Sequence, residues 1–513
     1  MFQPCDHIKI QFPNRNLCIL SKKWNTTHEV SYMESVWNSE VNFRKREALS
    51  KDIECDILVI GAGMAGLLTA YMLTKSGREV VVIDAKSTAS GVTKNTTAKI
   101  TSQHDLIYDS IIKEFGEEGA RQYAKANELA IQRYKEIIDE EKIDCDFERK
   151  DAYLYSLDNT KSLEDEYTAV KKLGIDAELV DEVNLPVKVK AALKFKNQAQ
   201  FNPLKFLRPI SEKLTIYENT TALDITEEIS VVTKDDIKIK ANKIIVATHY
   251  PFLNTPGYYF LRMHQERSYV LALENAQDVN GMYKGIDKNA YSFRNYKNLL
   301  IFGGSAQRTG ENEEGGAYEK LRKAAKELYP NSIEKYHWSA QDCMTLDNIP
   351  YIGHYSSKTP DIYVETGFEK WGMTTSMVAA MIISDMILEK QNDFSKIFSP
   401  GRFDMSASMK NAANDLIITA KNFIAQSIDI PEESLESIEK GHGGIVEYKG
   451  KKTGVYKDND GKVYTVSTKC VHLGCELQWN ADELTWDCPC HGSRFDYKGN
   501  WIESPTNKSL DEV

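Results

Sequence analysis

Residues 56–66 read DILVIGAGMAG, and this stretch decides the fold of the larger part of the chain. Its first five residues form a short apolar run, which is typical of a strand buried in a parallel sheet. Apolar residues then recur at helical spacing as far as Met72, and Gly77 ends that pattern. A second apolar run follows at residues 79–83. Strand, helix and strand in this order predict a βαβ unit with a parallel sheet.

The glycines of this stretch fit the pattern G-x-G-x-x-G, which gains specificity from its strand–turn–helix context. Gly61 permits the tight turn, Gly63 lets the backbone approach a pyrophosphate, and Gly66 allows close helix–strand packing. Asp84 ends the second strand, where a carboxylate can accept a hydrogen bond from a ribose hydroxyl. The pattern predicts a dinucleotide site, with a glycine-rich turn that binds nothing as the alternative, and it does not separate FAD from NAD. The predicted binding residues are Gly61, Ala62, Gly63, Met64, Ala65, Gly66, Asp84 and Ala85.

Four further stretches resemble the FAD-dependent oxidoreductases of the D-amino-acid oxidase, glycine oxidase and sarcosine oxidase class. They are residues 90–99 (SGVTKNTTAK), 243–248 (KIIVAT), 347–353 (DNIPYIG) and 366–374 (TGFEKWGMT). In that class the first stretch passes the flavin and the last meets its isoalloxazine ring, so the resemblance implies bound FAD. It also implies flavin contacts for Thr93, Thr96, Thr97, Ala98, Gly372, Met373 and Thr374. The sequence has no second G-x-G-x-x-G after a strand, which favours a small-molecule electron donor over NAD(P)H.

Four of the nine cysteines crowd one C-terminal segment, whereas the others are scattered. The segment carries two boxes, residues 470–475 (CVHLGC) and 488–493 (CPCHGS). In a reducing compartment such a cluster of cysteines indicates a metal site, because the two boxes can together supply two thiolates and two imidazoles. Zinc accepts a Cys₂His₂ set. The spare cysteine in each box can bridge the two loops, which favours a [2Fe–2S] cluster over zinc.

The two boxes match the Rieske family almost letter for letter. The iron ligands that this resemblance implies are Cys470 and Cys488 on one iron and His472 and His491 on the other. It also implies a disulfide between Cys475 and Cys490, as in the Rieske subunits of cytochrome bc complexes.

Two neighbouring residues bear on the reduction potential of such a cluster. Ser493 matches the serine that hydrogen-bonds a cluster sulfide in Rieske proteins. Phe495 departs from the pattern, because high-potential members have a tyrosine there that donates a hydrogen bond to a ligand sulfur. We therefore expect a potential below the top of the Rieske range of about −150 to +300 mV.

The chain has 513 residues, which is too many for one ordinary core, so several domains are expected. We assign residues 1–50 to an N-terminal extension, 51–404 to the FAD-dependent oxidoreductase domain, 405–432 to a helical linker and 433–513 to the Rieske [2Fe–2S] domain. The predicted fold is an α/β FAD-binding Rossmann-type domain with an inserted antiparallel-sheet substrate domain, followed by a small all-β Rieske domain.

Charge and hydropathy exclude several classes of protein. The net charge of −11 disfavours nucleic-acid binding, which needs a basic surface. No apolar stretch reaches the length of about 20 residues that spans a bilayer. The N-terminus lacks the basic and apolar regions of a secretory signal, so a cytoplasmic location is expected.

The layout as a whole resembles bacterial FAD-dependent oxidoreductases with a C-terminal Rieske domain, near the gamma-glutamylputrescine oxidase type. This resemblance implies oxidation of a C–N bond in a small amine or amino acid by hydride transfer to FAD. One-electron transfer through the cluster to an external carrier would follow. A redox sensor or electron-transfer adaptor, and a reductase run in the reverse direction, are the alternatives. A Rieske oxygenase is disfavoured, because the remaining histidines show no paired motif for a mononuclear iron.

No motif identifies the catalytic residues. The candidates, which lie in the region that covers the flavin in this class, are Arg262, His264, Tyr269 and Arg294. An arginine there can bind a carboxylate in a bidentate pair, and a structural ion pair is the alternative. Cys343 is a candidate covalent flavin anchor, with an ordinary buried thiol as the alternative.

Overall fold

The computed structural model describes residues 33–312, 314–402 and 434–513. In chain order its strands are β1 (Ile53–Ile60), β2 (Val80–Ile83), β3 (Lys99–Ile100), β4 (Glu148–Ser156), β5 (Ala177–Val180), β6 (Ala191–Gln200), β7 (Thr215–Tyr217), β8 (Ala222–Ile225), β9 (Ser230–Thr233), β10 (Lys238–Val246), β11 (Met263–Glu274), β12 (Met282–Gly285), β13 (Ser292–Tyr296), β14 (Leu299–Arg308), β15 (Ile333–Thr345), β16 (Tyr351–His354), β17 (Ile362–Thr366), β18 (His442–Tyr448), β19 (Lys451–Lys457), β20 (Val463–Ser467), β21 (Gln478–Asn480), β22 (Thr485–Asp487), β23 (Arg494–Asp496) and β24 (Trp501–Glu503). Its helices are α1 (Met64–Lys75), α2 (Tyr108–Glu141), α3 (Lys161–Lys172), α4 (Pro203–Ser211), α5 (Ala317–Leu328), α6 (Gly372–Ile387) and α7 (Ser395–Phe398). The linker predicted at residues 405–432 lies outside the described residues.

The first sheet is built around β1, the strand that precedes the glycine turn. Its strand order is β16-β17-β10-β1-β2-β7, and the β8–β9 hairpin adds to the edge of β10. The strands from β17 to β7 in this order run parallel, while β16 is antiparallel to β17. All four residues of β2 are buried, as expected for a parallel sheet that is covered on both faces. The predicted α/β domain with a parallel βαβ unit is confirmed.

Helices α1 and α6 lie in the main apolar core, where they pack on each other. Both helices are apolar around most of their circumference, which is the pattern of a helix buried between neighbours rather than one facing solvent. Helix α2 packs on α6 and is broken at Gly116, whose φ of 76° is not helical. Among the described residues no helix combines the length and the apolar character required to cross a membrane.

The second sheet has nine strands in the order β15-β11-β14-β13-β12-β4-β6-β3, with β5 on the edge of β6. Every pairing is antiparallel except that of β4 with β12. This sheet confirms the predicted antiparallel-sheet insertion. Strand β11 pairs with β14 on one side and β15 on the other, and these three strands carry residues that reach the C-terminal domain.

The C-terminal domain is all-β, as predicted. It consists of a three-stranded sheet, β18-β19-β20, and a four-stranded sheet, β21-β22-β23-β24, both antiparallel. Its core joins Trp486 and Phe495 to the cysteines of the two boxes.

Residues 33–50, which the sequence placed in an N-terminal extension, pack on the first domain. Trp37 is fully buried, its Nε1 donates a hydrogen bond to the Thr96 carbonyl (2.8 Å), and its ring lies 4.7 Å from that of Tyr296. The segment shows no hydrophobic period, because it contributes single anchoring side chains rather than a helix or strand. Residues 1–32 lie outside the described residues.

Candidate functional site

The glycine turn brings three backbone segments into contact between β1, α1 and the end of β10. Gly61 has a φ of +116°, and a Cβ there would lie 2.4 Å from the Ala247 carbonyl oxygen. A Cβ on Gly66 would lie 2.0 Å from the Gly61 carbonyl oxygen. Gly63 is more open, since the nearest atom to its Cβ position is Thr93 Oγ1 at 3.4 Å. The turn therefore needs glycine at 61 and 66 for close packing, while Gly63 leaves the backbone approachable.

Asp84 lies beside this turn at the end of β2. Its carboxylate accepts hydrogen bonds from the backbone N–H groups of Ala62 and Lys86, both at 2.7 Å. Burial raises the pKa of Asp84, and the two backbone hydrogen bonds act in the opposite direction. The carboxylate is thus fixed in position at the place where a ribose is bound in this type of turn.

A cavity of about 1100 Å³ opens beside the turn. Most of the residues predicted to contact FAD line it, namely Gly61, Ala62, Gly63, Met64, Ala65, Asp84, Ala85, Thr93, Thr96, Thr97, Gly372 and Met373. Helices α1 and α6 both begin at its wall, with Met64 and Gly372, so two positive helix ends lie at one cavity. The volume and the helix ends fit an extended anionic dinucleotide.

Three residues predicted to bind FAD do not line the cavity, and each has a structural contact instead. Gly66 packs on the Gly61 carbonyl. Ala98 accepts a hydrogen bond from Arg294 through its carbonyl oxygen (2.7 Å). Thr374 Oγ1 accepts a hydrogen bond from the backbone N–H of Thr101 (2.8 Å). These residues lie behind the cavity wall and shape it.

Of the four candidate catalytic residues, Tyr269 alone lines the cavity. Its hydroxyl accepts a hydrogen bond from Asn312 Nδ2 (3.2 Å). His264 lies on β11 away from the cavity, with its Nε2 3.7 Å from a Glu266 carboxylate oxygen.

The two candidate arginines both donate hydrogen bonds to backbone carbonyls, which is a structural role. Arg262 donates to the Pro400 carbonyl (2.9 Å), and its guanidinium lies 4.4 Å from the Tyr259 ring. Arg294 donates to the carbonyls of Thr97 (2.9 Å) and Ala98 (2.7 Å), in the loop whose neighbouring residues line the cavity. Arg294 thus holds this loop in place, while its second guanidinium nitrogen, Nη2, is a buried atom without a hydrogen-bond partner in the described part of the chain.

Several charged residues at the cavity were not among the sequence-based predictions. Lys99, Asp342 and Lys370 are partly buried, and Glu365 and Glu369 are buried. Burial raises the pKa of Asp342 to about 6 and that of Glu369 to about 8. Lys99 and Lys370 lie in the two stretches, residues 90–99 and 366–374, that resemble flavin-contacting loops. Their position in these stretches was the sequence signal that could have identified them. Cys343 is fully buried and does not line the cavity, which fits an ordinary buried thiol.

Lys99 is the cavity cation with the simplest surroundings. Its Nζ donates to Ser292 Oγ (2.5 Å) and to the Tyr283 carbonyl (3.1 Å), and both acceptors are neutral. Within the described residues Lys99 forms no ion pair. Burial lowers its pKa to about 7, with smaller contributions from Lys284 and Arg294. Such an ammonium group is stabilised by an anion that enters the cavity.

The two cysteine–histidine boxes form adjacent loops at one end of the C-terminal domain. The rings of His472 and His491 lie 5.0 Å apart between centroids. The thiols of Cys470 and Cys488 are within hydrogen-bonding contact of each other. The structure thus brings together all four residues that the resemblance assigned to iron.

The spare cysteines and the buried polar atoms also fit a Rieske cluster. Cys475 and Cys490 form a disulfide between the two loops. His472 Nδ1 and Ser493 Oγ are buried atoms without a hydrogen-bond partner in the described part of the chain. Buried polar atoms normally have a hydrogen-bond partner. His472 Nδ1 therefore fits an iron ligand, and Ser493 Oγ fits a hydrogen-bond donor to a cluster sulfide.

The second cysteine loop rests on β11 and β15 of the first domain. Gln265 Nε2 donates to the carbonyls of His491 (2.8 Å) and Ser504 (2.9 Å). Gln341 Nε2 donates to the Gly492 carbonyl (2.9 Å). A Cβ on Gly492 would lie 2.7 Å from Gln265 Cβ, so glycine allows this approach. The loop that carries a predicted iron ligand is therefore bonded directly to the large sheet.

The first cysteine loop also contacts the first domain. His472 Nε2 lies 2.7 Å from Asn254 Oδ1. The ring of Phe260 stands edge-on to both predicted histidine ligands, with its centroid 6.0 Å from that of His491. Both loops thus contact the FAD-binding part of the chain, while Val471 and Leu473 of the first loop remain exposed.

A buried network of charges lies between the domains. Arg267 from β11 forms ion pairs with Glu483 and Glu503 of the C-terminal domain. Arg494 pairs with the same two acids (3.1 Å each) and with Asp487 (2.9 Å). Since a buried ion needs a partner, this network depends on the two domains being in contact.

Two family models match the chain. The model described as FAD dependent oxidoreductase matches residues 56–386, and the model of the Rieske [2Fe-2S] domain matches residues 430–513. The chain is 41% identical over 495 residues to the "Putative Rieske 2Fe-2S iron-sulfur protein YhfW" of Bacillus subtilis (strain 168), which covers 94% of this chain and 97% of the relative.

More distant similarities cover the first domain. Gamma-glutamylputrescine oxidoreductase of Escherichia coli (strain K12) is 22% identical, over 71% of this chain and 89% of the relative. The crystal structure of glycine oxidase from Geobacillus kaustophilus matches with a TM-score of 0.57 and 15% identity, over 68% of this chain and 99% of that one. The last likeness is one of fold.

Gly66→Ala tests the packing of the turn. The added Cβ meets the Gly61 carbonyl oxygen, which is backbone and cannot move aside, so we expect loss of flavin and a decrease of about 1–3 kcal/mol in the free energy of unfolding. Flavin absorbance per chain measures the flavin content, and denaturant unfolding measures the free energy of unfolding. The control is Gly401→Ala, at an exposed position that does not line the cavity and where the nearest atom to a Cβ is Ser399 Oγ at 3.5 Å, an ordinary contact. Full flavin content in Gly66→Ala would contradict this account of the turn.

Phe495→Tyr tests the electrostatics around the cluster. Phe495 is fully buried beside the cysteines, and a hydroxyl there would donate a hydrogen bond toward a ligand sulfur and stabilise the reduced state. We expect the reduction potential, measured by optical redox titration, to rise. Tyr497→Phe removes a hydroxyl elsewhere in the same core and should leave the potential unchanged. A potential that is unchanged or lower in Phe495→Tyr would show that position 495 does not reach the cluster.

Proposed function

This chain belongs to the family of FAD dependent oxidoreductases and carries a Rieske [2Fe–2S] domain, and from that premise we propose that it oxidises the C–N bond of a small amino acid or amine and delivers single electrons to an external carrier. FAD supplies the two-electron acceptor for the substrate and the cluster supplies a one-electron outlet. The residues that hold FAD are those that line the cavity beside the glycine turn, and the cluster is held by the two boxes.

One observation carries this proposal. The loop with His491 is bonded to Gln265 and Gln341, and the neighbours of these two glutamines along β11 and β15 line the FAD cavity. Arg267 and Asp342 are two such neighbours. A few hydrogen-bonded residues inside the protein thus connect the two redox sites, and in the described part of the chain no solvent-exposed gap separates them. This arrangement supports electron exchange between the two sites rather than two independent activities.

The named relatives support C–N oxidation as the reaction class. The Escherichia coli relative is named for gamma-glutamylputrescine, and several structural neighbours are named as glycine oxidase, L-amino acid deaminase and L-proline dehydrogenase, while another is named as L-alpha-glycerophosphate oxidase. These names belong to those proteins. For this chain they support a substrate that carries an amine next to an oxidisable carbon.

Lys99 favours an amino acid over a simple amine. Its ammonium group is partly buried at the cavity wall, and its two protein acceptors are neutral. Lys284 of β12, which also lines the cavity, adds a second positive charge, with Asp105 at 3.9 Å from its Nζ. A substrate carboxylate would supply the missing counter-charge and fix the orientation of its amine-bearing carbon.

The reaction is tested by adding amino acids and amines to the protein without oxygen in a stopped-flow spectrometer. We expect rapid bleaching of flavin absorbance, followed by bleaching of the cluster absorbance. Gln265→Ala should leave the first phase unchanged and slow the second by about tenfold, because it removes two hydrogen bonds to the cluster domain.

The control for this experiment is Gln200→Ala, which removes another buried glutamine of the same sheet away from the cysteine loops. It should change neither phase. The dehydrogenase proposal fails if no amine or amino acid bleaches the flavin. It also fails if the flavin is bleached while the cluster stays oxidised.

The substrate class is tested by the binding of propionate, a carboxylate without an amine. Lys99 is protonated below its pKa of about 7, so propionate affinity should fall as the pH rises through that value. Lys99→Met should weaken binding by about tenfold or more and abolish this pH dependence, whereas Lys99→Arg should retain binding at high pH. Isothermal titration of the flavin-loaded protein measures each affinity. Equal propionate affinity in Lys99→Met and the parent would refute the assignment.

A further inference from the structure

The C-terminal domain forms part of the wall of the FAD cavity. Strand β24 contributes Trp501, Ile502 and Glu503 to the lining, and the following segment contributes Ser504 and Asn507. The same cavity is lined by the glycine turn more than 400 positions earlier in the chain. The FAD site is therefore built by two domains.

Trp501 lies at the end of the cavity that holds Asp84. The Lys86 ammonium group, two residues beyond Asp84, donates a hydrogen bond to the Ile502 carbonyl and lies 4.9 Å from the centroid of the Trp501 ring. Asn507 Nδ2 donates to the carbonyl of Ala222 (3.0 Å), which also lines the cavity. Since Asp84 stands where the ribose is bound, these contacts place Trp501 beside the adenosine half of the dinucleotide.

The indole of Trp501 has an unused donor at this place. Its Nε1 is a buried atom that forms no hydrogen bond within the described residues. A buried indole N–H usually has an acceptor, and an aromatic ring offers a stacking surface to a purine base. A partner with both an aromatic base and hydrogen-bond acceptors satisfies the two requirements together.

The opposite end of β24 is held firmly. Glu503 pairs with Arg267 (3.2 Å) of the first domain and with Arg494 (3.1 Å) of its own domain. The next residue, Ser504, accepts a hydrogen bond from Gln265 through its carbonyl oxygen. The strand thus runs along the cavity from the Lys86 contact to the glutamine that also holds the His491 loop.

We propose that the Rieske domain supplies part of the FAD site, with Trp501 binding the adenosine half of the cofactor. FAD then contacts both domains, and its binding stabilises their docking. By linkage, docking of the Rieske domain stabilises bound FAD by the same free energy. The inference concerns assembly of the site and does not depend on which substrate is oxidised.

The test uses full-length protein that keeps its cluster and from which flavin has been removed. FAD, ADP and riboflavin are titrated into the parent, Trp501→Ala, Trp501→Phe and the control Tyr448→Ala, which changes an aromatic residue of the same domain that does not line the cavity. We expect Trp501→Ala to bind FAD and ADP about tenfold more weakly, with riboflavin affinity unchanged. Trp501→Phe should recover most of the loss, and Tyr448→Ala should match the parent.

Two outcomes would overturn the proposal. One is FAD and ADP affinity in Trp501→Ala within twofold of the parent. The other is an equal loss for riboflavin, which would indicate a general defect of the cavity. A second measurement needs no variant: ADP added to the flavin-free parent should slow hydrogen exchange of the β24 amides, and unchanged exchange would refute the linkage. Cluster absorbance in each variant verifies that the Rieske domain is intact.

Discussion

Two buried glutamines hold the second cysteine loop against the large sheet, and the function rests on this contact. Gln265 and Gln341 donate three hydrogen bonds to the carbonyls of His491, Gly492 and Ser504. Side-chain amides satisfy these backbone carbonyls where no strand partner is present. Because the glutamines stand on β11 and β15, whose neighbouring residues line the FAD cavity, one interaction fixes the relation between the two redox sites.

The charges around this contact favour a specific docked arrangement of the two domains. Burial alone would raise the pKa of Glu483, but Arg267 and Arg494 lower it to about 2, so it remains ionised. Removing one partner of such a network leaves another charge buried and unpaired, which typically costs about 3–5 kcal/mol. Arg267 comes from the first domain and its acids Glu483 and Glu503 from the C-terminal domain, so this part of the network forms only when the domains are in contact. The network therefore favours one relative position of the two domains over displaced positions.

The parts that local sequence determines were predictable, and the contacts between distant segments were not. The glycine turn and the cysteine boxes each lie within a few residues, so spacing alone identifies the parallel unit and a metal-type site. The bond between Gln265 and His491 joins residues 226 positions apart and leaves no local pattern. The arginine candidates illustrate the same limit, because a strand arginine such as Arg294 can donate to backbone carbonyls of a distant loop. Lys99 lies within a flavin-loop motif, yet only the fold shows that it is partly buried at the cavity.

The arrangement of the two sites predicts that electrons pass between the flavin and the cluster within one chain. A light flash in the presence of a sacrificial electron donor reduces the flavin, and the cluster absorbance is then followed at several protein concentrations. If transfer is intramolecular, the rate constant for cluster reduction is independent of protein concentration. A rate constant that rises in proportion to concentration would mean that electrons pass between separate molecules, and would contradict the account.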